Sequence, residues 1–265
     1  MNSLCLFPAL LGAMLFGGCQ LPVAEPESAA SDTAVAGLEL PAASAGEDII
    51  RYSGFTCSYN HATLVPDWVA YELTSDELDA AYDSKSSSFS RDPAVHGRQA
   101  SREDYSRSGW DKGHMAPKAD MRWSEKAYWE SHYFPNICPQ NHQLNAGDWN
   151  ILEKSVRRLA SQYGRVWVVC GPVFENNEFG TIGNARVRIP DYFFKALLIH
   201  DGDSYSAIAY VMHNDGRHHS LRDYACSVND LEARIGRDLF PALDDSIEEA
   251  VESQIDWSCW LPDRR

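Results

Sequence analysis

Asp111-Lys112-Gly113-His114-Met115-Ala116-Pro117 is the stretch of sequence that decides both the fold and the site. Its first four residues bring together a carboxylate, a cation, a flexible glycine and an imidazole. Imidazole is a suitable general base near neutral pH. A histidine close to an aspartate is, taken alone, more often a structural pair, so the residues that follow decide between the two readings.

A second polar stretch, Asn136-Ile137-Cys138-Pro139-Gln140, is followed by Asn145, Trp149 and Glu153. Amide and carboxylate oxygens suit a hard cation such as magnesium, and a single amide ligand would leave most of the coordination sphere to water and phosphate. Each residue also has an ordinary explanation, since an Asn before a helix is usually a cap. The order and spacing of both stretches together favour a metal site.

The segments around these stretches predict a sheet-rich α+β domain. Alternating apolar residues predict two antiparallel strands within 56–73, and helical spacing from Trp149 to Leu159 predicts an amphipathic helix over 145–162. Further strands are predicted at 110–116, 165–171, 185–189, 192–200 and 205–212, and further helices at 123–133, 221–235 and 244–255. Strands and helices do not alternate regularly, so a doubly wound parallel sheet is not expected.

The first 50 residues differ in composition from the rest of the chain. An apolar run from Leu4 to Phe16, followed by Gly17-Gly18-Cys19, resembles a bacterial lipobox and predicts a signal peptide over 1–19 with a lipid on Cys19; ordinary secretion and an uncleaved anchor stay open. Residues 20–50 are rich in Ala, Ser, Pro and Glu and predict a disordered linker. A single domain is then expected over 51–265, in the cell envelope or outside the cell.

Charge and cysteine content limit the classes of function. The net charge is −15, and all 23 Lys and Arg follow residue 50, which argues against a protein that coats nucleic acid with a basic surface. A nuclease needs positive charge only at the scissile phosphate, where a cation and a few basic side chains supply it. Beyond Cys5 and Cys19 the chain has an odd number of thiols, so in an oxidising compartment at least one stays free or pairs between chains. Their pairing is not assigned: Cys57, Cys138, Cys170, Cys226 and Cys259.

The combined pattern resembles the DNA/RNA non-specific endonuclease family, which has a ββα-metal active site. Segments at 67–73, 105–109 and 236–240 also resemble family segments, so the similarity extends from about residue 50 to 255. The resemblance implies a single α+β domain with a central, mostly antiparallel sheet and flanking helices. It also implies hydrolysis of DNA and RNA to 5′-phosphate and 3′-hydroxyl ends.

The resemblance assigns roles residue by residue. His114 would be the general base, and Asn145 would be the protein ligand of one Mg²⁺ or Mn²⁺ ion. Glu153 would hold the cation through a water molecule, and Asn136 would orient the His114 loop. Because Asn145 and Glu153 would be about 12 Å apart along one helix, we expect a water-mediated contact or an Asn145 that precedes the helix.

Other residues are expected to contact the substrate or to support the site. Many members of the family have Arg where this chain has Lys112, and a second family Arg aligns with Lys85, although Arg91 is an alternative. Either lysine loses the bidentate fork of arginine. Gln140 is expected to contact substrate, and surface positions are expected for His132 and His142; Asp111 and Trp149 are expected to be structural.

Two other functions remain open at this point. One is a catalytically inactive, nucleic-acid-binding envelope lipoprotein of the same fold, and the other is a metal-dependent phosphodiesterase acting on small nucleotides. The expected partners are DNA and RNA, together with a membrane reached through the lipid on Cys19. A homodimer and the preference for DNA or RNA are left open.

Overall fold

A central sheet of seven strands organises the described part of the chain, which in the computed structural model comprises residues 1, 37–79, 82 and 88–260. Every neighbouring pair in this sheet is antiparallel. In sheet order the strands are β1 (Asp48–Arg51), β2 (Thr56–Asn60), β3 (Val65–Thr74), β6 (Arg165–Val173), β9 (Tyr192–His200), β10 (Tyr205–His213) and β11 (Ala225–Cys226). The smaller antiparallel pairs are β4 (Asp111–His114) with β5 (Ile137–Gln140), and β7 (Thr181–Ile182) with β8 (Val187–Arg188).

Helices flank this sheet, within one compact unit that spans residues 35–265. They are α1 (Ser75–Leu78), α2 (Arg102–Tyr105), α3 (Glu125–Glu130), α4 (His142–Leu144), α5 (Asn150–Tyr163), α6 (Leu221–Tyr224), α7 (Val228–Ile235) and α8 (Asp245–Glu252), with a 3₁₀ turn at Phe134–Asn136 and a π turn at Asn145–Trp149. The predicted α+β class with a mostly antiparallel sheet and flanking helices is confirmed.

The two central strands, β6 and β9, are buried on both faces. Side chains alternate along a strand, so Val168 packs in the core beneath α5 while Val169 packs in the core beneath α7. This double burial explains why both strands read as nearly continuous apolar runs. By the same alternation Lys195 shares its face with Phe193 and Leu197, which places a charged side chain on the α5 side of the sheet.

The ββα unit lies on that same side. Strands β4 and β5 pair with Asp111 opposite Gln140 and His114 opposite Ile137. The chain then passes through α4 and the π turn into α5, whose apolar face supplies Leu152 and Val156 to the core. Helix α5 therefore fixes the position of the small ββ pair relative to the main sheet.

Three predicted boundaries are corrected by the structure. The helix predicted over 145–162 is regular only from Asn150, because Gly147 has non-helical torsions (φ −102°, ψ −110°). The helix predicted over 221–235 is interrupted at 225–226, where the backbone pairs with β10 instead. Residues 37–50 are not a free linker, since Leu38 is fully buried and β1 begins at Asp48.

Two predicted functional residues, Cys19 and Lys85, lie outside the described residues, as does the predicted signal peptide apart from Met1. None of the described helices is long and apolar enough to cross a membrane. All five cysteines of the described residues are free thiols. Cys170 is fully buried in β6, as its apolar surroundings predict.

Candidate active site

His114 is the last residue of β4, and the residue before it explains how the two strands approach. A Cβ atom placed on Gly113 would lie 2.7 Å from the Cβ atom of Gln140, a separation that real side chains do not reach. Only glycine therefore fits between Lys112 and His114. Gln140 is fully buried behind Gly113, so the predicted contact of Gln140 with substrate is wrong.

Asn136 holds the backbone that follows His114. Its Oδ1 accepts from the Ala116 amide (2.8 Å), and its Nδ2 donates to the carbonyls of Ala116 (2.9 Å) and Ser131 (2.8 Å). Its own carbonyl accepts from the Met115 amide (3.0 Å). The side chain is fully buried, and hydrogen bonds in such a setting are stronger than in water. The loop after His114 is therefore rigidly placed.

The two ring nitrogens of His114 lie in different environments. Nε2 is buried and has no hydrogen-bond partner among the described residues, whereas Nδ1 is not enclosed in this way. Burial, with smaller contributions from His132 and Lys118, lowers the pKa of His114 to about 3. The ring is therefore neutral near pH 7, and Nδ1 is the nitrogen that solvent reaches.

His132 lies beside this ring rather than on the surface. It is 1% exposed, its ring centroid is 5.2 Å from that of His114, and the two planes are perpendicular. The Phe89 ring packs 5.2 Å from both imidazoles and covers them. The predicted surface position of His132 is wrong because the turn after α3 carries it into the space beneath Phe89.

Asn145 lies on the π turn, ahead of the regular part of α5. Its Nδ2 donates to Oδ2 of Asp111 (2.9 Å), and His142 Nδ1 lies 2.8 Å from the same oxygen. Asp111 thus sets the orientation of the Asn145 side-chain amide, with Nδ2 toward the carboxylate. The amide oxygen makes no hydrogen bond to the described residues. His142 is exposed, as the sequence predicts.

Four charged side chains lie between α5 and the sheet and form what we call the buried charge cluster: Asp120, Glu153, Arg157 and Lys195. Arg157 Nη1 donates to Asp120 Oδ1 (2.6 Å), and Tyr71 donates to Asp120 Oδ2 (3.0 Å). Lys195 is fully buried, with Nζ 3.4 Å from the Met115 carbonyl and 4.7 Å from the Trp149 ring centroid.

Glu153 is the member of the buried charge cluster that the sequence identifies. Burial and the nearby Asp120 raise the pKa of Glu153 to about 7, against the opposing effect of Lys195 and Arg157. No role was predicted from the sequence for the other three members. A lysine inside the apolar run of β9 was the one available signal, because lysine is almost never fully buried without a partner.

The donor set near His114 suits a hard cation. Among the described residues no group of three or more His, Cys, Asp or Glu side chains is placed to hold a metal ion. The oxygen atoms available are the amide of Asn145, the carboxylate of Asp111 beside it, and Glu153 on the next part of the chain. This donor set has few protein oxygens and no sulfur. It therefore suits Mg²⁺ or Mn²⁺, which keep several waters, better than it suits zinc.

A cleft of about 510 Å³ opens beside β4, and basic side chains line it. Lys112 lines it, with Nζ 5.5 Å from the ring centroids of Phe89 and Tyr105. Arg102 lines this cleft and the neighbouring one, which Arg91 also lines. Arg91 is therefore near the site, whereas Lys85 lies outside the described residues, and the sequence did not single out Arg102.

A sequence model of the DNA/RNA non-specific endonucleases matches residues 39–246. This chain belongs to that family. The mitochondrial nuclease EXOG of Danio rerio is 37% identical over 207 residues, which are 72% of this chain and 60% of that protein. Human mitochondrial endonuclease G is 34% identical over 171 residues, or 60% of this chain and 58% of the human protein. The chain thus spans about 60% of the length of these relatives.

A solved structure extends the similarity of this endonuclease family member to three dimensions. A chain of the EndoG/EndoGI complex, described as showing the mechanism of EndoG inhibition, superposes with a TM-score of 0.70 and 27% identity. The superposition covers 75% of this chain and 88% of that chain. The predicted family is confirmed, but the predicted location in the cell envelope or outside the cell is contradicted, because both sequence relatives above are named as mitochondrial.

Proposed function

We propose that this protein is a metal-dependent, sugar-non-specific endonuclease that hydrolyses phosphodiester bonds of DNA and RNA. One observation carries the proposal: the accessible Nδ1 of His114 lies at the end of β4, just before a loop fixed by Asn136, in a ββα unit in which Asp111 orients Asn145. A neutral imidazole beside oxygen ligands for a hard cation is the equipment for attack by water on phosphorus.

His114 performs the proton step in this proposal. Its Nδ1 lone pair takes a proton from the attacking water while the water oxygen bonds to phosphorus and the bond to the 3′ oxygen breaks. The departing 3′ oxygen takes a proton from solvent, so the products are a 5′-phosphate and a 3′-hydroxyl. Burial lowers the pKa of His114 to about 3, and the negative charge of a bound phosphate opposes that shift. Substrate binding therefore strengthens the base at the moment when it is needed.

Asn145, through its amide oxygen, would hold the cation, and Glu153 would hold one water of its hydration shell. A cation held there would supply positive charge that offsets the negative charge developing in the transition state. Asp111 keeps the Asn145 amide oxygen available by binding the amide nitrogen. Lys195 and Arg157 oppose protonation of Glu153, so they favour the carboxylate form that orients a water.

Substrate phosphates are proposed to bind along the cleft lined by Lys112, Arg102 and Arg91. Lys112 acts as a point charge, because it lacks the fork with which arginine binds two phosphate oxygens at once. Few cations on an acidic protein give weak binding that falls as salt increases. A rise in the Michaelis constant for a long substrate between low and physiological salt supports this part of the proposal.

A substrate panel tests the proposed activity against its alternatives. Purified protein is incubated with single- and double-stranded DNA, RNA and a mononucleotide diester, with Mg²⁺, with Mn²⁺ and with EDTA. We expect cleavage of both polymers, loss of cleavage in EDTA, and 5′-phosphate ends. Cleavage of the diester alone favours the small-nucleotide phosphodiesterase, and binding without cleavage under either metal favours a catalytically inactive, nucleic-acid-binding member of the family. The homodimer remains a prediction that light scattering tests.

A further inference from the structure

Two neighbouring imidazoles in this site each have an unpaired, buried ring nitrogen. The Nε2 atoms of His114 and His132 are both enclosed and make no hydrogen bond to the described residues. The rings stand perpendicular, with centroids 5.2 Å apart. A buried polar atom without a partner is uncommon in native proteins and needs an explanation.

The neighbours of His132 determine which of its nitrogens carries the proton. Its Nδ1 lies 2.8 Å from the carbonyl oxygen of Tyr128, and a carbonyl can only accept. Nδ1 therefore carries the hydrogen and donates it. Burial lowers the pKa of His132, so the ring is neutral and its Nε2 presents a lone pair. His132 Nε2 is an acceptor without a donor.

His114 is the complementary case. A general base that takes a proton through Nδ1 must hold its lone pair there, so the single hydrogen of the neutral ring belongs on Nε2. That hydrogen points into the same apolar space beneath Phe89, where no described group accepts it. His114 Nε2 is a donor without an acceptor.

We propose that His132 is a positioning residue for the base, accepting a hydrogen bond at Nε2 from the Nε2–H of His114. The bond holds His114 in the tautomer whose lone pair is on Nδ1 and supports the ring when it gains a second hydrogen. This inference rests on the proposed role of His114. A linear contact of about 3 Å between two imidazole nitrogens separates their ring centroids by about 5 Å, close to the separation observed. The distance between the two ring centroids therefore fits such a pair.

The step balances without another reagent. A water O–H bond breaks, the proton passes to Nδ1 of His114, and the electron pair left on oxygen forms the new bond to phosphorus. The bond from phosphorus to the 3′ oxygen breaks at the same time, and that oxygen keeps the bonding pair and takes a proton from solvent. The hydrogen on Nε2 stays in place, and His132 remains neutral throughout. Because the Phe89 ring covers both imidazoles, water is kept from competing for the Nε2–H.

Nitrogen NMR on metal-free protein with ¹⁵N-labelled histidine tests the tautomer without any activity assay. We expect a pyrrole-type signal from His114 Nε2 and a pyridine-type signal from His114 Nδ1, with assignment from a His114→Ala variant. In His132→Phe, which keeps a ring but removes the acceptor, we expect the two His114 signals to move toward a mixture of tautomers. Tyr128→Phe, which alters the ring 4.9 Å from His132 but leaves both imidazoles, should keep the wild-type pattern.

Kinetics provide the second readout. Since general base catalysis contributes about 10²–10⁴-fold, we expect His132→Phe to lower kcat about tenfold at unchanged KM. His132→Gln, whose amide oxygen restores an acceptor, should recover most of that loss.

A wild-type spectrum with the His114 hydrogen on Nδ1 overturns the inference, and so does a His132→Phe protein with unaltered spectrum and kcat. The wild-type spectrum shows which nitrogen of His114 carries the hydrogen, so it tests the inference even if a variant fails to fold. If the wild-type protein cleaves no nucleic acid, the proposed function fails while the spectrum still tests the pair.

Discussion

Replacing Arg157 by Met removes the salt-bridge partner that Asp120, a fully buried carboxylate, has among the described residues. The Asp120 side chain is 0% exposed and that of Arg157 is 22% exposed, and their 2.6 Å contact is shielded by α5. Tyr71 still donates to the carboxylate in the variant and Lys195 still attracts it, but the carboxylate has lost its salt bridge. Breaking a buried pair by removing one partner costs about 3–5 kcal/mol. We expect that decrease in the free energy of unfolding at pH 8.

The loss should be smaller at low pH. Burial already raises the pKa of Asp120, and Arg157 is the largest influence that opposes the rise. Without Arg157 the folded-state pKa increases further above the unfolded value, so protonation favours the folded state. The stabilisation that protonation of Asp120 gives is complete below the pKa of the unfolded state and is lost as pH rises through the pKa of the folded state. The deficit of the variant must therefore grow from pH 5 to pH 8.

Urea unfolding followed by tryptophan fluorescence measures both effects. Arg158→Met is the matched control, because Arg158 is the exposed neighbour on the same helix and exposed substitutions usually change stability by less than about 0.5 kcal/mol. An unchanged m-value would show that the comparison is one of stability alone. If Arg157→Met costs no more than Arg158→Met at pH 8, or if its cost is equal at both pH values, the reasoning about the buried charge cluster is refuted.

Three further predictions concern single residues near the base. Lys112→Met should raise KM for plasmid DNA about tenfold, whereas Lys112→Arg should lower KM, since the guanidinium fork binds two phosphate oxygens. Equal KM values for the wild type and both variants would contradict a contact between Lys112 and a substrate phosphate. Gln140→Met should leave KM unchanged. Its free energy of unfolding should be equal to that of the wild type or higher by about 1 kcal/mol, because both polar atoms of the buried amide lack partners among the described residues. A rise in KM would instead show that Gln140 contacts substrate. The NMR signal of the His114 ring protons should not titrate between pH 5 and 8, since the pKa of His114 is lowered to about 3. The contribution of the neutral His114 ring to the free energy of unfolding should be complete above about pH 6.5 and decline as pH falls toward 3.

The elements that the sequence predicted well are those with long, regular apolar patterns. Strands β9 and β10 and most of α5 were placed within a few residues, because burial on a fixed side of the sheet imposes the period. The start of α5 was misplaced, since a single Gly147 with unusual torsions leaves the apolar spacing intact. The α+β class was accessible for the same reason, as strand and helix patterns do not alternate along the chain.

Candidate site residues that stand close together in the sequence could be predicted from their order and spacing. Residues that only the pairing of distant strands brings to the site could not. His114, Asn136, Asn145 and Glu153 stand at characteristic spacings within 40 residues. Lys195 reaches the same place only through the pairing of β9 with β6, which sets it opposite Cys170. His132 and Gln140 were misplaced because neither position has a pattern that separates a buried polar side chain from an exposed one.

The proposed function depends on His114 acting as the base of a phosphodiester hydrolysis. The most direct measurement is the initial rate of supercoiled plasmid nicking in Mg²⁺ by the wild-type protein and by His114→Ala, each verified as folded by circular dichroism. We expect a loss of about 10²–10⁴-fold for the variant, the range that general base catalysis supplies, with KM little changed. A variant that nicks plasmid within threefold of the wild-type rate would contradict it.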